Sequence, residues 1–525
     1  MPVDACPNRK GCHMNGAESV VRSLHAAGAE VCFANPGTSE MQFVDALDRT
    51  RLIRCVLGLF EGVVTGAADG YARMARKPAV TLLHLAPGFA NGAANLHNAR
   101  KARTPVLNLV GEHAVRHLDY DAPLSADISG AAAPFSDWVR TGTSAATLGQ
   151  DAMAGWAAAS SHPGAVATLI LPADLGWDEG GVIAPPPVAA EPRAIEESAL
   201  SQAAQALGPG ALLLVGGTVL EDPAAQVLAA GIAQATGATL MAPGSNRRVE
   251  MGAGLPVIPR VPYPIDLAIE TLSRFDRAVL VEAVEPVAFF AYPGRPSLLL
   301  PPGCCITTLA KRDQNGPAAL EVLADLVGAR PWQGPDVTRP PAPQAGPLND
   351  AALSLAIASA LPERAIVIDE GITRARGVGS LAAGAPRLSW LSITGGSIGI
   401  GVPLAAGAAV ACPDRPIVAL QADGSAMYTL QGLWTQAREG LNVTTVILAN
   451  RSYEILKGEL LRVGANPGPT ALDMLDLRRP DLDFCALARG MGVPAMRVED
   501  AAELHRAIAA SVLEPGPMLI EAMLD

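Results

Sequence analysis

Charge is scarce in this chain: only 17% of its 525 residues are Asp, Glu, Lys or Arg, against 50% hydrophobic. So few charges cannot cover the surface of a chain this long, and the composition points to surface hidden in an oligomer interface. Basic runs are missing as well. The net charge is −12, which argues against a nucleic-acid partner. The eight cysteines (Cys6, Cys12, Cys32, Cys55, Cys304, Cys305, Cys412, Cys485) form no CxxC pair, so they read as reduced, mostly buried thiols. In the leader "MPVDACPNRKGCH", Cys6, Cys12 and His13 have no fourth ligand, and a disordered leader is the better reading than a metal site. That leader also lacks the apolar core of a signal peptide, which points to a cytoplasmic protein. Leu388 to Pro413 carries no charged residue. It is long enough to span a bilayer, but its many glycines and Pro403 suit tight turns and helix in a soluble core, so no membrane span is expected.

What is present is a threefold α/β pattern. The length suggests about three domains of roughly 100–200 residues each. Two Pro-rich stretches, "VIAPPPVAAEPR" (Val182–Arg193) and "RPPAPQAGPLND" (Arg339–Asp350), read as linkers. They separate segments 13–180, 195–330 and 350–525. Each segment alternates short continuous apolar runs with helix-period stretches: "EVCFANPG", "AVTLLHLAPG" and "TPVLNLVGE" in the first, "ALLLVGG", "RAVLVEA" and "SLLLPPG" in the second, "AIVIDEG", "PIVALQADG" and "TTVILANRS" in the third. Runs of this kind are strands of a parallel sheet covered on both faces. The expected fold is three doubly wound α/β domains, whose ligands bind beyond the carboxyl ends of the strands.

The chemistry-bearing residues follow those ends. In "QADGSAMYTLQGLWTQAREGLNVTTVILANRSYEIL", one strand ends at Asp423 and the next at Asn450. Adjacent parallel strands joined by one helix bring the two side by side as hard oxygen ligands for Mg²⁺ or Ca²⁺. Gly424 and Ser425 open a helix whose free N–H groups can hold a phosphate. A second feature is "LFEGVVTGAADGYAR", with the carboxylate of Glu61 set among apolar residues at a helix start. A carboxylate taken out of water there costs several kcal/mol unless it is paired or used.

With these motifs the chain resembles the thiamine-diphosphate enzymes of the acetolactate synthase, pyruvate oxidase and benzoylformate decarboxylase group, over nearly its whole length. The resemblance implies a pyrimidine-binding domain, a middle domain and a diphosphate-binding domain, in that order. It makes Asp423, Asn450 and the Ser452 carbonyl the ligands of Mg²⁺, although Ala422 and Ala449 depart from the family's Gly-Asp-Gly and Asn-Asn. It makes Glu61 the group that hands a proton to ring nitrogen N1′ of the cofactor, turning the 4′-amino group into the base that removes the thiazolium C2 proton. In "TGGSIGIGVP", the Gly396 carbonyl would accept from the 4′-amino group, and Ile398 would sit under the bent cofactor with its N–H on N3′. Thr373 of "DEGIT", with Gly424 and Ser425, would meet the diphosphate, and Asn91 belongs with the cofactor-binding set.

On the substrate side, the resemblance points to His84 at a strand end and Thr38 of "NPGTSE" as catalytic, with His113 a weaker candidate. Glu454 and Lys457 would face the substrate, and His25, His97 and His162 receive no role. Where benzoylformate decarboxylase-like proteins carry a second histidine before "PG", this chain reads "PVAFFAYPG", so Phe289, Phe290 and Tyr292 would form an aromatic wall. The expected activity is a 2-oxo acid decarboxylase or carboligase of the benzoylformate decarboxylase kind. An acetolactate synthase large subunit and a non-catalytic regulatory homologue are the alternatives. The middle segment has no obvious dinucleotide fingerprint, so FAD is left out. A homodimer or homotetramer is expected, with Glu61 and Asp423 of each site coming from different chains.

Overall fold

Strands with no polar alternation are stable only when both faces are buried, and the three segments meet that requirement with three helix-covered sheets. The computed structural model describes residues 14–188, 190–335 and 337–524. Cys6, Cys12 and His13 lie outside them, so the leader reading is not addressed by the structure.

The first sheet contains β1 (Val31–Asn35), β2 (Arg54–Leu57), β3 (Ala79–Leu83), β4 (Val106–Glu112), β5 (Trp138–Thr141) and β6 (Val166–Pro172), all parallel, in the order β2-β1-β3-β4-β6-β5. The middle segment supplies β7 (Ala211–Val215), β8 (Thr239–Met241), β9 (Val249–Met251), β10 (Arg277–Val281) and β11 (Cys305–Ala310). Its four-stranded parallel sheet runs β11-β10-β7-β8. The third sheet is built from β12 (Ile366–Glu370), β13 (Leu388–Ser392), β14 (Ile417–Ala422), β15 (Val443–Ala449), β16 (Ala495–Val498) and β17 (Met518–Met523), in the order β16-β17-β15-β14-β12-β13. β9 completes it, antiparallel on β13. The middle segment therefore lends a strand to its neighbour, which its apolar pattern does not reveal.

Two expectations are corrected. "SLLLPPG" is not a strand: its backbone forms only the isolated bridge Val287–Leu298, and the ladder partner of β10 is Cys305–Ala310. Pro301 and Pro302 carry no N–H for a ladder, so the apolar run is used instead to bury Leu299 and Leu300. Nor are the cysteines mostly buried. Cys32 and Cys485 are, whereas Cys55 and Cys305 lie exposed on the edge strands β2 and β11. No helix among the described residues is long and apolar enough to cross a membrane.

The first and third segments share one core. Helix Glu61–Ala75 packs along helix Gly401–Ala411 so closely that a Cβ on Gly70 would stand 2.1 Å from the Leu404 carbonyl oxygen, and one on Gly407 1.8 Å from that of Ala67. Beside this seam lies a fully buried ion pair from "ADGYAR". Arg73 Nε and Nη2 donate to the Asp69 carboxylate at 2.7 and 2.6 Å, and Nη1 donates to the Ser392 carbonyl at 2.7 Å. Removing one member strands a buried charge, which costs about 3–5 kcal/mol. Asp69→Ala should therefore lower unfolding free energy by about that amount, read by denaturant titration, whereas an exposed pair such as Arg49–Asp45 contributes about 0–1 kcal/mol.

Candidate active site

Glu61 is the first residue of its helix and only 6% exposed. The Asn91 amide donates to its Oε2 at 2.9 Å. Asn91 comes from helix Leu85–Ala102, where Gly88 lets the carboxylate approach: a Cβ there would lie 3.1 Å from Oε1. None of the described hydrogen bonds joins Glu61 to the 396–398 turn or to Asp423, Asn450 or Ser452.

His84 leaves β3 as the cap of that same helix, and its Nδ1 lies 2.8 Å from Oε2 of the wholly buried Glu40. Glu40 also accepts from the Gly37 N–H at 2.8 Å and from the Ser39 hydroxyl, and it packs against Gly111 at the end of β4. The carboxylate fixes the imidazole beyond the strand ends, with 22% of the His84 side chain open to solvent. Glu40 and Ser39 did not stand out in the sequence; the last position of "NPGTSE" was the available signal. Thr38 begins the same turn and is exposed, so the hydroxyl at His84 belongs to Ser39, 3.3 Å from Nδ1. His113 follows β4, lies beside His117 with ring centroids 5.4 Å apart and the rings tilted by 57°, and keeps Nε2 buried with no partner among the described residues.

The glycine-rich turn before helix Gly401–Ala411 is set by a left-handed residue, Gly396 at φ 77°. Helix Leu85–Ala102 clamps it from the first segment. Asn98 Oδ1 accepts from the Gly395 and Ser397 N–H groups at 3.1 and 3.2 Å, Asn98 Nδ2 donates to the Ser397 carbonyl at 2.7 Å, and His97 Nε2 donates to the Gly395 carbonyl at 3.1 Å. His97 thus has a positional contact that its helical context did not suggest. Ile398 lies half-buried in the turn.

The third element is the pair of strand ends. β14 and β15 are parallel neighbours with Ala422 opposite Leu448, so Asp423 and Asn450 emerge side by side as expected. Asp423 Oδ1 accepts from the Gly424 N–H at 2.8 Å and Oδ2 from that of Arg451; Asn450 Oδ1 accepts from the Ser452 N–H at 3.1 Å. Burial pushes the Asp423 carboxyl up from its usual range, against the pull of those N–H groups. Among the described residues no cationic side chain is paired with it, and Arg451 Nε is buried without an acceptor. A buried carboxylate without a counter-charge, an amide oxygen and an unanswered guanidinium N–H are what a cation with a bound diphosphate would complete. The Tyr453 ring packs over Gly424. Thr373 follows β12 in a half-buried turn.

Models of the N-terminal and C-terminal TPP binding domains of thiamine pyrophosphate enzymes match residues 14–132 and 377–522. The chain belongs to the thiamine pyrophosphate enzyme family. It is 48% identical over 521 residues to the Mycobacterium tuberculosis protein named "Putative acetolactate synthase large subunit IlvX", covering 97% of this chain and 99% of that one. It is 29% identical to the benzoylformate decarboxylase of Pseudomonas aeruginosa, covering 95% and 98%. Among solved structures, the thiamine diphosphate-dependent 4-hydroxybenzoylformate decarboxylase of Rhodococcus jostii RHA1 shares its fold, with a TM-score of 0.81 over 98% of this chain and 99% of that one at 24% identity.

In this thiamine pyrophosphate enzyme the aromatic wall differs from expectation in one member. Phe289 and Phe290 are half-exposed with centroids 4.9 Å apart, and the Phe289 ring lies against Gly396, where a Cβ would stand 2.6 Å away. Tyr292 instead turns inward: it is 8% exposed and donates to Glu459 Oε2 at 2.8 Å. Its phenol finds a carboxylate acceptor there, while Tyr263 takes the place beside Phe289 at 5.4 Å. Glu454 and Lys457 pair with each other at 3.1 Å. In the middle segment, Glu282 directly follows β10 and accepts from the Thr218 and Gly316 N–H groups at 2.6 and 2.7 Å. Its carboxylate thus ties the turns that follow β7 and β11 to the end of β10.

A further buried carboxyl, Glu370 at the end of β12, is pushed up to about 7 by burial, against hydrogen bonds from the Gly401 and Gly399 N–H groups. The unfolded chain holds this proton with an affinity near 4.5. Between these values the folded state binds the proton and the unfolded state does not. The stability from this group is therefore fully present below about pH 4.5, declines by about 3 kcal/mol as pH rises to about 7, and is level above. Melting curves of the cofactor-free protein should show this fall, and Glu370→Gln should remove it.

Proposed function

We propose that the chain is a thiamine-diphosphate- and Mg²⁺-dependent enzyme that cleaves the carboxylate from a 2-oxo acid and passes the remaining carbon to a proton or to a second carbonyl, in the manner of a benzoylformate decarboxylase. The observation that carries this reading is Glu61: a carboxylate buried at a helix start with one amide for a partner, on a chain that also keeps Asp423 and Asn450. A non-catalytic binding homologue would have no reason to retain all three.

When bound, thiamine diphosphate supplies an electron sink for the pair left behind as CO₂ departs. The chain's residues do the rest. Asp423, Asn450 and the Ser452 carbonyl would hold Mg²⁺, with Gly424, Ser425 and Thr373 at the diphosphate. The Gly396 carbonyl and Ile398 N–H would orient the aminopyrimidine, and Glu61, steadied by Asn91, would share a proton with its ring nitrogen. His84, aligned by Glu40, would deliver a proton at the substrate carbon. Phe289 and Phe290 make the wall beside Gly396 apolar, which suits an aromatic or otherwise apolar 2-oxo acid.

The apolar Leu59, Val115, Leu118 and Tyr120, exposed at the carboxyl ends of the first sheet, support burial against a second copy. With no described hydrogen bond between Glu61 and Asp423, Asn450 or Ser452 of the same chain, they favour a dimer, or a tetramer of two dimers, that completes each site. A cytoplasmic location accords with this chemistry. The second reading, an acetolactate synthase large subunit, is favoured by the 48% identity to IlvX.

Incubating the cofactor-loaded protein with a panel of 2-oxo acids while following CO₂, aldehyde and 2-hydroxyketone tests the reading and separates the two activities. Aromatic acids should release CO₂ fastest; CO₂ from pyruvate alone, with 2-acetolactate as product, would favour the second reading, and none from any acid would refute both. In the same assay His84→Ala should slow aldehyde formation by on the order of 10²–10⁴-fold. It should also raise 2-hydroxyketone relative to aldehyde when a second carbonyl compound is supplied. An unchanged rate and product ratio would make His84 a structural strand-end residue.

A further inference from the structure

Glu370 is unaccounted for by any role above. It is 1% exposed, and its two oxygens are spent on one short segment: Oε1 accepts from the Gly399 N–H and Oε2 from the Gly401 N–H. These groups flank the end of the turn that carries Gly396 and Ile398. Directly opposite Glu370 in the β12–β14 register stands Gln421, which is fully buried. Its Nε2 donates to the Ser425 hydroxyl, and its Oε1 has no partner among the described residues. The two side chains converge on Gly401, where a Cβ would lie 2.1 Å from Gln421 Oε1 and 2.9 Å from Glu370 Oε2. No larger residue fits there without driving the carboxyl and the amide apart. The carboxyl and the amide thus meet over Gly401, and the amide continues to the Ser425 hydroxyl, so the three side chains form one buried polar cluster from the turn to the helix start at Asp423.

We propose that Glu370 is a positioning residue that fixes the 396–401 turn for the aminopyrimidine, and that Gln421 ties this setting to Ser425 at the diphosphate end. The proposal rests on the cofactor reading given above. Its physical content is that both ends of the cofactor site are held by one set of buried polar contacts. A glutamine at 370 keeps the shape but faces one backbone N–H with another donor, leaving that N–H unanswered. A buried unsatisfied donor costs about 1–3 kcal/mol, which corresponds to about 5- to 150-fold in affinity if it is felt at the site.

Calorimetry with two probes decides the matter: thiamine diphosphate with Mg²⁺, and inorganic pyrophosphate with Mg²⁺. Glu370→Gln should weaken thiamine diphosphate by on the order of 10–100-fold while leaving pyrophosphate binding unchanged, and amide exchange at Gly399 and Gly401 should quicken. Equal loss for both probes would mark Glu370 as merely structural, and no loss for either would remove its role; each result overturns the proposal. Should Glu370→Gln fail to fold, Gln421→Met carries the test, since it cuts both links. It should weaken both probes in a folded protein, and unchanged affinities would overturn the proposal. If the parent protein binds neither probe, the cofactor reading itself has failed, a result distinct from these.

Discussion

Glu61→Gln is expected to bind thiamine diphosphate about as well as the parent protein and to lose turnover by on the order of 10²–10⁴-fold, the range for a positioned proton-transfer group. The amide keeps the volume of the carboxyl and can still meet Asn91, which donates to Glu61 Oε2 at 2.9 Å in the parent. Binding therefore persists, but the amide has no proton to share with a ring nitrogen. The check is a pair of measurements on the same sample, calorimetric affinity and CO₂ release. Parallel loss of both would mean that Glu61 serves the fold of the helix start, and retention of both would return it to an ordinary helix residue.

Asp423→Ala should produce the opposite pattern, a loss of binding from which the loss of activity follows. Asp423 is 4% exposed and offers the charged oxygen at the end of β14. Its removal leaves Asn450 and a carbonyl as neutral ligands, too weak to hold Mg²⁺ against water or to neutralise a diphosphate. The affinity for thiamine diphosphate with Mg²⁺ should fall by more than the roughly 10–100-fold that follows loss of a ligand's outer partner. An unchanged affinity would show that the cation, if one binds, is held elsewhere. Because Asp423 Oδ1 and Oδ2 also accept the Gly424 and Arg451 N–H groups, Asp423→Asn is the companion that keeps one acceptor while removing the charge.

The strands were legible because a parallel sheet demands continuous apolar runs: Val106–Glu112 and Val443–Ala449 could be read directly. So could the neighbouring positions of Asp423 and Asn450, since one helix between two parallel strands leaves few arrangements. What stayed hidden depends on contacts between residues far apart in the chain. Glu40 is one of many surface-like acidic residues until the fold brings His84 over it. Tyr292 read as part of a wall, but the distant Glu459 supplies an acceptor that turns it inward. β9 joins the third sheet only because Ser389 and its neighbours on β13 leave an edge open to it. "SLLLPPG" misled because apolar content alone does not show that two prolines deny the ladder its donors. Gly401 gave no signal at all, since its lack of a Cβ matters only against Glu370 and Gln421.

The measurement that tests the central claim most directly is hydrogen–deuterium exchange at the thiazolium C2 of thiamine diphosphate, added with Mg²⁺ to the cofactor-free parent protein and quenched in acid. Glu61, the 396–398 turn and the paired strand ends at Asp423 and Asn450 have a common purpose only if together they activate that carbon. The account predicts exchange many-fold faster than in free cofactor, abolished by Asp423→Ala and greatly slowed by Glu61→Gln. Exchange at the rate of free cofactor in the parent protein would contradict it.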